Sequence, residues 1–331
     1  MPVLLKDVAE HANVALGTAS KVLNGRRGVI DISEETRSRV LNAAHELGYR
    51  PNRAARTLAT GRSLVVALCM GSINVFEARI ASLMRSTVAA DGYELMLTNP
   101  HLYEQKGWGL QSHFPVDGMI AIDGGSYNFS EALRENGDLR VPYISMGFYY
   151  ESDVDHAGID WEVGLHQAIT HLLGTGRRRI AIGVARPIPG EAHSDCYQAA
   201  AAKFGLTPEY ILPIMDPDPC ITGCRSIIDH VRHNGCPDAV ICPCDEVAMG
   251  VYRGLLDLGV RVPEDVAIVG GDNIPHTQYS ECPLSTIAYP YEDMCKAAWT
   301  FLCNRMGNPD IPQQKAVFDS FFIARKSSEG G

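Results

Sequence analysis

The sequence has no apolar stretch long enough to cross a membrane as a helix. Its longest runs, of which Leu64 to Met70 is one, fall far short of the ~20 residues a span needs. Near the start, Leu4 and Leu5 are followed at once by Lys6, Asp7 and Glu10. No apolar core of a secretion signal is left there, so the chain is expected in the cytoplasm. Nucleotide-cradling patterns are missing as well. No GxGxxG follows a strand-like run, no GxxxxGK precedes Ser or Thr, and Gly174-Thr175-Gly176 follows a helical stretch instead. Neither a GxSxG elbow nor an HExxH pair occurs. With these absent, neither a catalytic residue nor a cofactor is expected.

Cysteine is not scarce, but its usual pairings are. The ten cysteines include no CxxC pair, and without a secretion signal free thiols are expected rather than a disulfide framework. Cys220, Cys224, His230, His233, Cys236, Cys242 and Cys244 share one stretch. A metal site would need four of them to converge. The alternative is that the thiols serve as small buried apolar groups, and no metal is expected.

What is present is ordinary for a soluble globular chain: 331 residues, 46% hydrophobic and 21% charged, room for one small domain and one large one. Charge divides unevenly. From Met1 to Arg62, ten Lys and Arg stand against six Asp and Glu, a surplus of four. The remaining 19 basic and 33 acidic residues leave a deficit of 14, which together give the net -10. A basic head on an acidic body points to a polyanion as partner of the head alone.

Helical periodicity organises that head. Val8, Ala9 and Ala12 give Lys6 to Ala12 one packing face, and Asn13-Val14 forms a short break. Ala15 to Asn24 then turns Ala19, Val22 and Leu23 inward. Two short helices and a tight turn, with small Ala9 at the crossing, match a helix-turn-helix. A third helix is expected from Ser33, an N-cap followed by Glu34 and Glu35, through Val40, Ala43, Ala44 and Leu47 to a stop at Gly48. Periodicity alone would equally fit another small helical domain.

The motifs are more specific. Lys6-Asp7-Val8-Ala9, Thr18-Ala19-Ser20-Lys21-Val22-Leu23-Asn24-Gly25, Ser33-Glu34-Glu35-Thr36-Arg37 and Leu47-Gly48-Tyr49-Arg50-Pro51-Asn52 resemble, in order, the head of the LacI/GalR family. The resemblance implies a helix-turn-helix domain over residues 1–50 with Ala15 to Asn24 in the major groove of DNA. Leu16 and Gly17 would face base edges, while Thr18, Ser20, Lys21 and Asn24 mix phosphate and base contacts; Asn52 and Arg53 join the DNA-facing set. Leu16 could read only by apolar contact, as with a thymine methyl. Two departures stand out. Leu4 and Ala15 occupy positions where the family usually has Ser or Thr before a helix. The loop Arg26 to Ile32 is longer than is typical and adds Arg26 and Arg27, either solvated or on phosphates.

Residues 51–62 read as a hinge helix that, in the resembling family, forms only on DNA. Leu58 matches the residue wedged into the minor groove and Ala55 the close contact between twin hinges.

From 63 to 331 short β-rich runs alternate with helical stretches, which argues for an α/β body of parallel sheets. The runs are Leu64 to Met70, Glu94 to Leu97, Gly118 to Ile122 and Tyr143 to Met146, then from near Asp160 Arg179 to Gly183, Ala239 to Cys242 and Val266 to Gly270. Two series imply two lobes with a cleft between them. Val116-Asp117-Gly118-Met119-Ile120, Val262-Pro263-Glu264-Asp265-Val266, Val269-Gly270-Gly271-Asp272-Asn273 and Pro283-Leu284-Ser285-Thr286-Ile287 resemble the family's periplasmic-binding-protein-like sensor domain. The resemblance implies a small-molecule effector, sugar or related metabolite, at strand C-termini. Ser72, Asn74, Asp160, Asp245 and Asp272 are the positions expected there, with helix capping the alternative for Asp160 and Asp245. His193 stands where the family often has Arg, and an imidazole lacks the guanidinium fork, so the family's sugars do not transfer. Arg186 could reach the same cleft, and Trp108, in the shortened stretch Thr98 to Val116, could be core or a stacking platform.

The expected function is a ligand-responsive transcriptional regulator, a repressor on a palindromic double-stranded DNA operator at the nucleoid, acting as a homodimer. A solute-binding receptor or a doubly wound enzyme would share the body but not the head. No leucine heptad tail follows Phe318 to Arg325, which disfavours a tetramer.

Overall fold

A computed structural model of the chain describes residues 3–23, 32–50, 57–58, 60–71, 74–99, 115–123, 141–147, 154–183 and 192–329, the side chains of 192 and 193 excepted. The chain divides into two compact units, Met1–Ser63 and Leu64–Gly331.

The first unit holds α1 (Leu5–His11), α2 (Leu16–Leu23) and α3 (Glu34–Glu46). Its core is built from small side chains: Val8, Ala9, Ala12, Ala19, Val22, Val40, Ala43 and Ala44 are all buried. Alanine at the crossings lets three short helices approach closely, which compensates for their lack of length. The turn between α1 and α2 passes through Asn13 at φ 50, a left-handed conformation that asparagine tolerates better than most residues. At the start of α3, Ser33 Oγ accepts the Thr36 N–H at 3.3 Å, the expected cap. At the start of α1, Leu4 has no side chain to offer. Asp7 compensates from within the helix, its carboxylate accepting the Leu4 N–H at 2.8 Å.

The second unit contains two six-stranded sheets. The first lobe is built on β1 (Val65–Cys69), β2 (Glu94–Thr98), β3 (Gly118–Asp123), β4 (Tyr143–Gly147), β5 (Asp155–Asp160) and β11 (Lys315–Asp319), in the order β11-β5-β4-β3-β1-β2, all parallel. The second has β6 (Ile180–Ile182), β7 (Glu209–Tyr210), β8 (Ala239–Ile241), β9 (Ala267–Gly271), β10 (Ser285–Ala288) and β12 (Phe321–Ile323), ordered β12-β10-β9-β8-β6-β7, with β12 alone antiparallel. The central strands are largely buried, as parallel strands under helices must be, and most carry Val, Ile, Leu, Ala or Met at their centres.

Among the described residues six helices complete the lobes: α4 (Val75–Ala90), α5 (Trp161–Gly174), α6 (Ala192–Phe204), α7 (Pro219–Asn234), α8 (Asp245–Asp257) and α9 (Tyr291–Gly307). In α4 the buried Ile80, Ala81, Met84 and Val88 recur at helical spacing and point at the sheet. A 3₁₀ turn, Pro275–Tyr279, follows β9.

The strand-helix alternation does not by itself reveal that the chain returns to the first lobe after β10. Helix α9 packs on α4, β3, β4 and β5, and β11 joins the first sheet beside β5. The chain therefore crosses between lobes three times, near Asp160, Pro290 and Ser320. The crossings are bonded together: Ser320 donates its N–H to the Asp160 carbonyl at 2.9 Å, and its Oγ accepts the Gly164 N–H at 2.9 Å.

The cysteine-rich stretch resolves into packing. Helices α7 and α8 meet backbone to backbone, where a Cβ added to Gly250 would lie 2.0 Å from the Cys220 carbonyl oxygen. Cys220 and Cys224 supply the small side chains that such an approach needs. Among the described residues no group of three or more His, Cys, Asp or Glu could hold a metal.

Candidate functional site

On the head, α2 presents Leu16 and Gly17 to solvent, while Thr18, Ser20 and Lys21 are half-buried. Leu16 is 52% exposed, although its helix has an apolar core behind it. A Cβ built on Gly17 would meet nothing within 4 Å. The glycine is thus not demanded by the packing of the described head residues. Beyond the three helices, the Gly61 N–H donates to the Thr57 carbonyl at 2.8 Å, a helical bond. Leu58, within that turn, is 90% exposed. A leucine so exposed gains nothing from the fold around it. Asn24, Asn52, Arg53 and Ala55 lie outside the described residues, as do Arg26 and Arg27.

In the sensor unit the candidate site lies at the C-terminal ends of the strands, where loops leave the sheets of both lobes. Asp272 follows β9 with φ 88, a conformation an L-residue adopts only when its surroundings enforce it. Two bonds enforce it: the Asp272 N–H donates to the Ile287 carbonyl at 2.9 Å, and its carbonyl accepts the Tyr291 hydroxyl at 3.2 Å. Its carboxyl is buried. Burial, then the neighbouring Asp245 and Glu246 charges, push its pKa well above the usual carboxylate range, and Arg79 pulls it partly back.

Asp245 opens α8 but does not cap it. It is fully enclosed, and its two carboxylate oxygens accept the Thr286 hydroxyl and the Ile274 N–H, each at 2.8 Å. Burial raises its pKa to about 7 against the lowering effect of those bonds. Gly270 leaves it room, since a Cβ there would come within 2.1 Å of Oδ1. These bonds fix the loop that carries Asp272, so Asp245 shapes the site from behind rather than lining it. This corrects the capping alternative for Asp245. The N-cap of α8 is Cys244, whose side chain makes no cap bond.

Asp160 and Asn74 are side-chain caps. Asp160 accepts the Glu162 N–H at 2.9 Å at the head of α5, and Asn74 accepts the Glu77 N–H at 2.8 Å at the head of α4. Each sits half-buried at a helix start that points toward the strand tips. His193 lies in the first turn of α6 with its side chain outside the described residues; Ser72, Trp108 and Arg186 lie outside them altogether.

Periodicity missed the aromatic wall. Tyr289 and Tyr291 flank the Pro290 crossing with ring centroids 5.5 Å apart, and Phe76 of the first lobe is 5.5 Å from Tyr291. Trp161, directly after Asp160, is buried beside them. Arg79 lays its guanidinium over Tyr291 at 4.9 Å and donates to the Asn273 carbonyl at 3.0 Å, tying α4 of one lobe to the β9 loop of the other. The Tyr-Pro-Tyr sequence after a β-rich run was the available signal. Charge meets across the opening too: burial and then the Asp218 and Glu77 charges raise the pKa of Glu246, and Glu77 belongs to the first lobe. Burial pushes the Cys244 thiol up, so it stands there as a neutral group.

The sequence pattern of "Bacterial regulatory proteins, lacI family" matches residues 4–52, and that of "Periplasmic binding protein-like domain" matches residues 169–328. The HTH-type transcriptional regulator CelR of Thermobifida fusca is 30% identical over 98% of this chain and 97% of its own. The chain belongs to the LacI family.

Other relatives of this LacI-family regulator include the ribose operon repressor of Haemophilus influenzae, 28% identical over 98% of each chain. The repressor PurR of Vibrio atlanticus is 28% identical over 95% of each. Among solved structures, a transcriptional regulator CelR-cellobiose complex aligns with a TM-score of 0.68 at 26% identity, over 98% of this chain and 99% of that one. The lac repressor dimer bound to operator and an anti-inducer aligns at 0.80 and 20% identity over 99% of each, a likeness of fold. The LacI-family regulator thus carries a helix-turn-helix DNA-binding head and a periplasmic-binding-protein-like sensor domain, and it acts in transcription. No described helix is long and apolar enough to cross a membrane.

Proposed function

We propose that the chain is a repressor that binds a palindromic operator as a homodimer and releases or gains that grip when a hydroxyl-rich small molecule, sugar-like in chemistry, enters the strand-tip cleft. The observation that carries this reading is Asp272, a carboxyl held by enforced backbone at a strand tip, beside Tyr291 and facing acidic and aromatic neighbours. Carboxyl groups accept hydrogen bonds from sugar hydroxyls, and tyrosine and tryptophan faces stack on the apolar side of a sugar ring. Carboxylates from both lobes, Glu77 and Glu246, make the opening hospitable to donors and hostile to acids.

On the head, Leu16, Gly17, Thr18, Ser20 and Lys21 are the proposed reading face, and exposed Leu58 the proposed wedge, with Asn24, Asn52, Arg53 and Ala55 completing the set by family likeness. Relatives named as operon repressors and an operator-bound dimer support the repressor and dimer readings. The second lobe also exposes Leu212, Met215, Ile221, Met249 and Leu256, apolar surface that a second copy could cover. Residues 1–50, 51–62 and 63–331 are the proposed DNA-binding, hinge and sensor segments. No catalytic role is assigned.

The test is selection of random duplex DNA by the purified protein, followed by screening of sugars on the recovered sequence. A two-fold palindrome is expected, and Asp272→Asn should keep operator affinity while weakening the effector response about tenfold or more, as loss of a buried hydrogen bond does. A response unchanged in Asp272→Asn would remove Asp272 from the site, and the absence of any enriched DNA would remove the operator reading.

A further inference from the structure

A cavity opens at the seam between the lobes, beside the strand-tip cleft and sharing Arg79 with its wall. It has a volume of about 500 Å³ and is lined by Val75, Ala78 and Arg79 from α4 and by Asn273, Pro275, His276, Gln278 and Arg325 from the second lobe. Its charge is anomalous. The chain outside the head carries a deficit of 14 charges, yet among the described residues this wall holds two guanidiniums, an imidazole and two carboxamides, and no carboxylate. The strand-tip cleft has the opposite character, with Asp272, Glu246 and Glu77 around it.

The two arginines are held in place but keep donors to spare. Arg79 gives one N–H to the Asn273 carbonyl at 3.0 Å while its face rests on Tyr291. Arg325 gives one N–H to the Leu284 carbonyl and one to Asn273 Oδ1, both at 2.7 Å. Each guanidinium has five N–H donors, so most remain for a guest. Asn273 connects them: its carbonyl takes Arg79, its side chain takes Arg325, and its own backbone stands at φ 51 with its N–H on the Thr286 hydroxyl at 3.2 Å. His276 and Gln278 sit on the exposed 3₁₀ turn across from α4. Two pre-positioned guanidiniums with an imidazole and an amide at the rim are the donor set that recognises a phosphate oxygen cage, and the start of α4 adds favourable dipole to it.

We propose that this seam cavity, beside the effector cleft, is a second ligand site, for a small phosphate ester. Because α4 belongs to one lobe and residues 273–278 to the other, an anion gripping Arg79 and Arg325 together adds a bond between the lobes and favours the arrangement in which they are joined. Binding here is independent of the regulator reading; only its consequence for DNA rests on that reading.

The experiment is a calorimetric titration of the full chain with phenyl phosphate and with inorganic phosphate at constant ionic strength. One saturable site per chain is expected. Gln278→Glu, at an exposed position on the cavity rim, should weaken it about tenfold or more by adding one like charge beside the guest, and Arg79→Gln should do the same. Lys21→Gln in the head should leave the affinity unchanged. Absence of saturable binding, or equal binding by wild type and Gln278→Glu, overturns the proposal. Should no operator be recovered by DNA selection, the same titration still decides this site, so the two readings fail separately.

Discussion

At the scale of single residues, the sensor site is governed by carboxyls that the fold keeps from ionising. Asp245 has its pKa raised to about 7 by burial, and Asp272 is displaced in the same direction. A carboxyl whose folded pKa lies above its unfolded value binds protons more tightly in the native state. Its contribution is therefore fully present below the unfolded value of 3.8 and is lost as pH rises through about 7. The sensor unit should grow less stable between those limits on this account. Asp245→Asn keeps the pattern, since its amide oxygen can accept from Ile274 N–H and its NH₂ can donate to the Thr286 hydroxyl. Urea midpoints taken from pH 5 to pH 8 should fall less steeply in Asp245→Asn than in wild type. Parallel slopes would mean that Asp245 is charged throughout and that burial does not govern it.

At the scale of elements, the head is economical with its caps. Helix α3 has Ser33, whereas α1 relies on Asp7 folding back to the Leu4 N–H, and α2 begins after Ala15 with no side-chain oxygen to offer. An Ala15→Ser change supplies that oxygen and should stabilise the head by about 1 kcal/mol, read as a higher midpoint of its thermal unfolding. An unchanged midpoint would show that the first N–H groups of α2 already have partners. Capping was legible in the sequence because it depends on residues three apart. Asp7 as a substitute cap was legible too, in the Leu4-to-Asp7 spacing, but only once the helix start was known. In the sensor unit, the close pairing of α7 and α8 was not legible. Nothing in the spacing of Gly223, Gly250 and Gly254 says that they face each other, and the neighbouring cysteines read as small core residues without saying what they pack against.

At the scale of the whole sensor unit, the two lobes are joined by three crossings gathered at one place. Gly164 is the tightest point: a Cβ there would lie 2.7 Å from Ile287 Cγ2 and 2.7 Å from Ser320 Oγ, groups belonging to the other two crossings. Gly164→Ala gains helix propensity in α5 but must push the crossings apart. The overpacking term is the larger, so the sensor unit should lose about 1–3 kcal/mol, measured by chemical denaturation. A neutral or stabilising effect would show that the crossings yield easily and that the lobes are less firmly coupled than these contacts make them. The same junction places Tyr289 and Tyr291 at the site, because a strand ending at Ala288 must turn through Pro290 to reach the first lobe.

The sequence by itself determined what short-range chemistry can encode. The three head helices and their limits followed from 3.6-residue periodicity and from Ser33, Glu34 and Glu35. Most strands of the sensor unit followed from β-rich apolar runs, and the family from ordered motifs in the head and sensor. The short β11 and β12 carried weaker patterns, half-exposed and alternating, and were not separable from a single tail run. Tertiary structure alone decided that α9 and β11 return to the first lobe, that Asp245 is bonded to the loop of Asp272, and that Arg79 reaches Tyr291 and Asn273. The physical reason is the same in each case. A carboxyl's role depends on what surrounds it once the chain has closed, and its partners here, Ile274 and Thr286, lie on segments that only the sheet order of the second lobe brings beside α8.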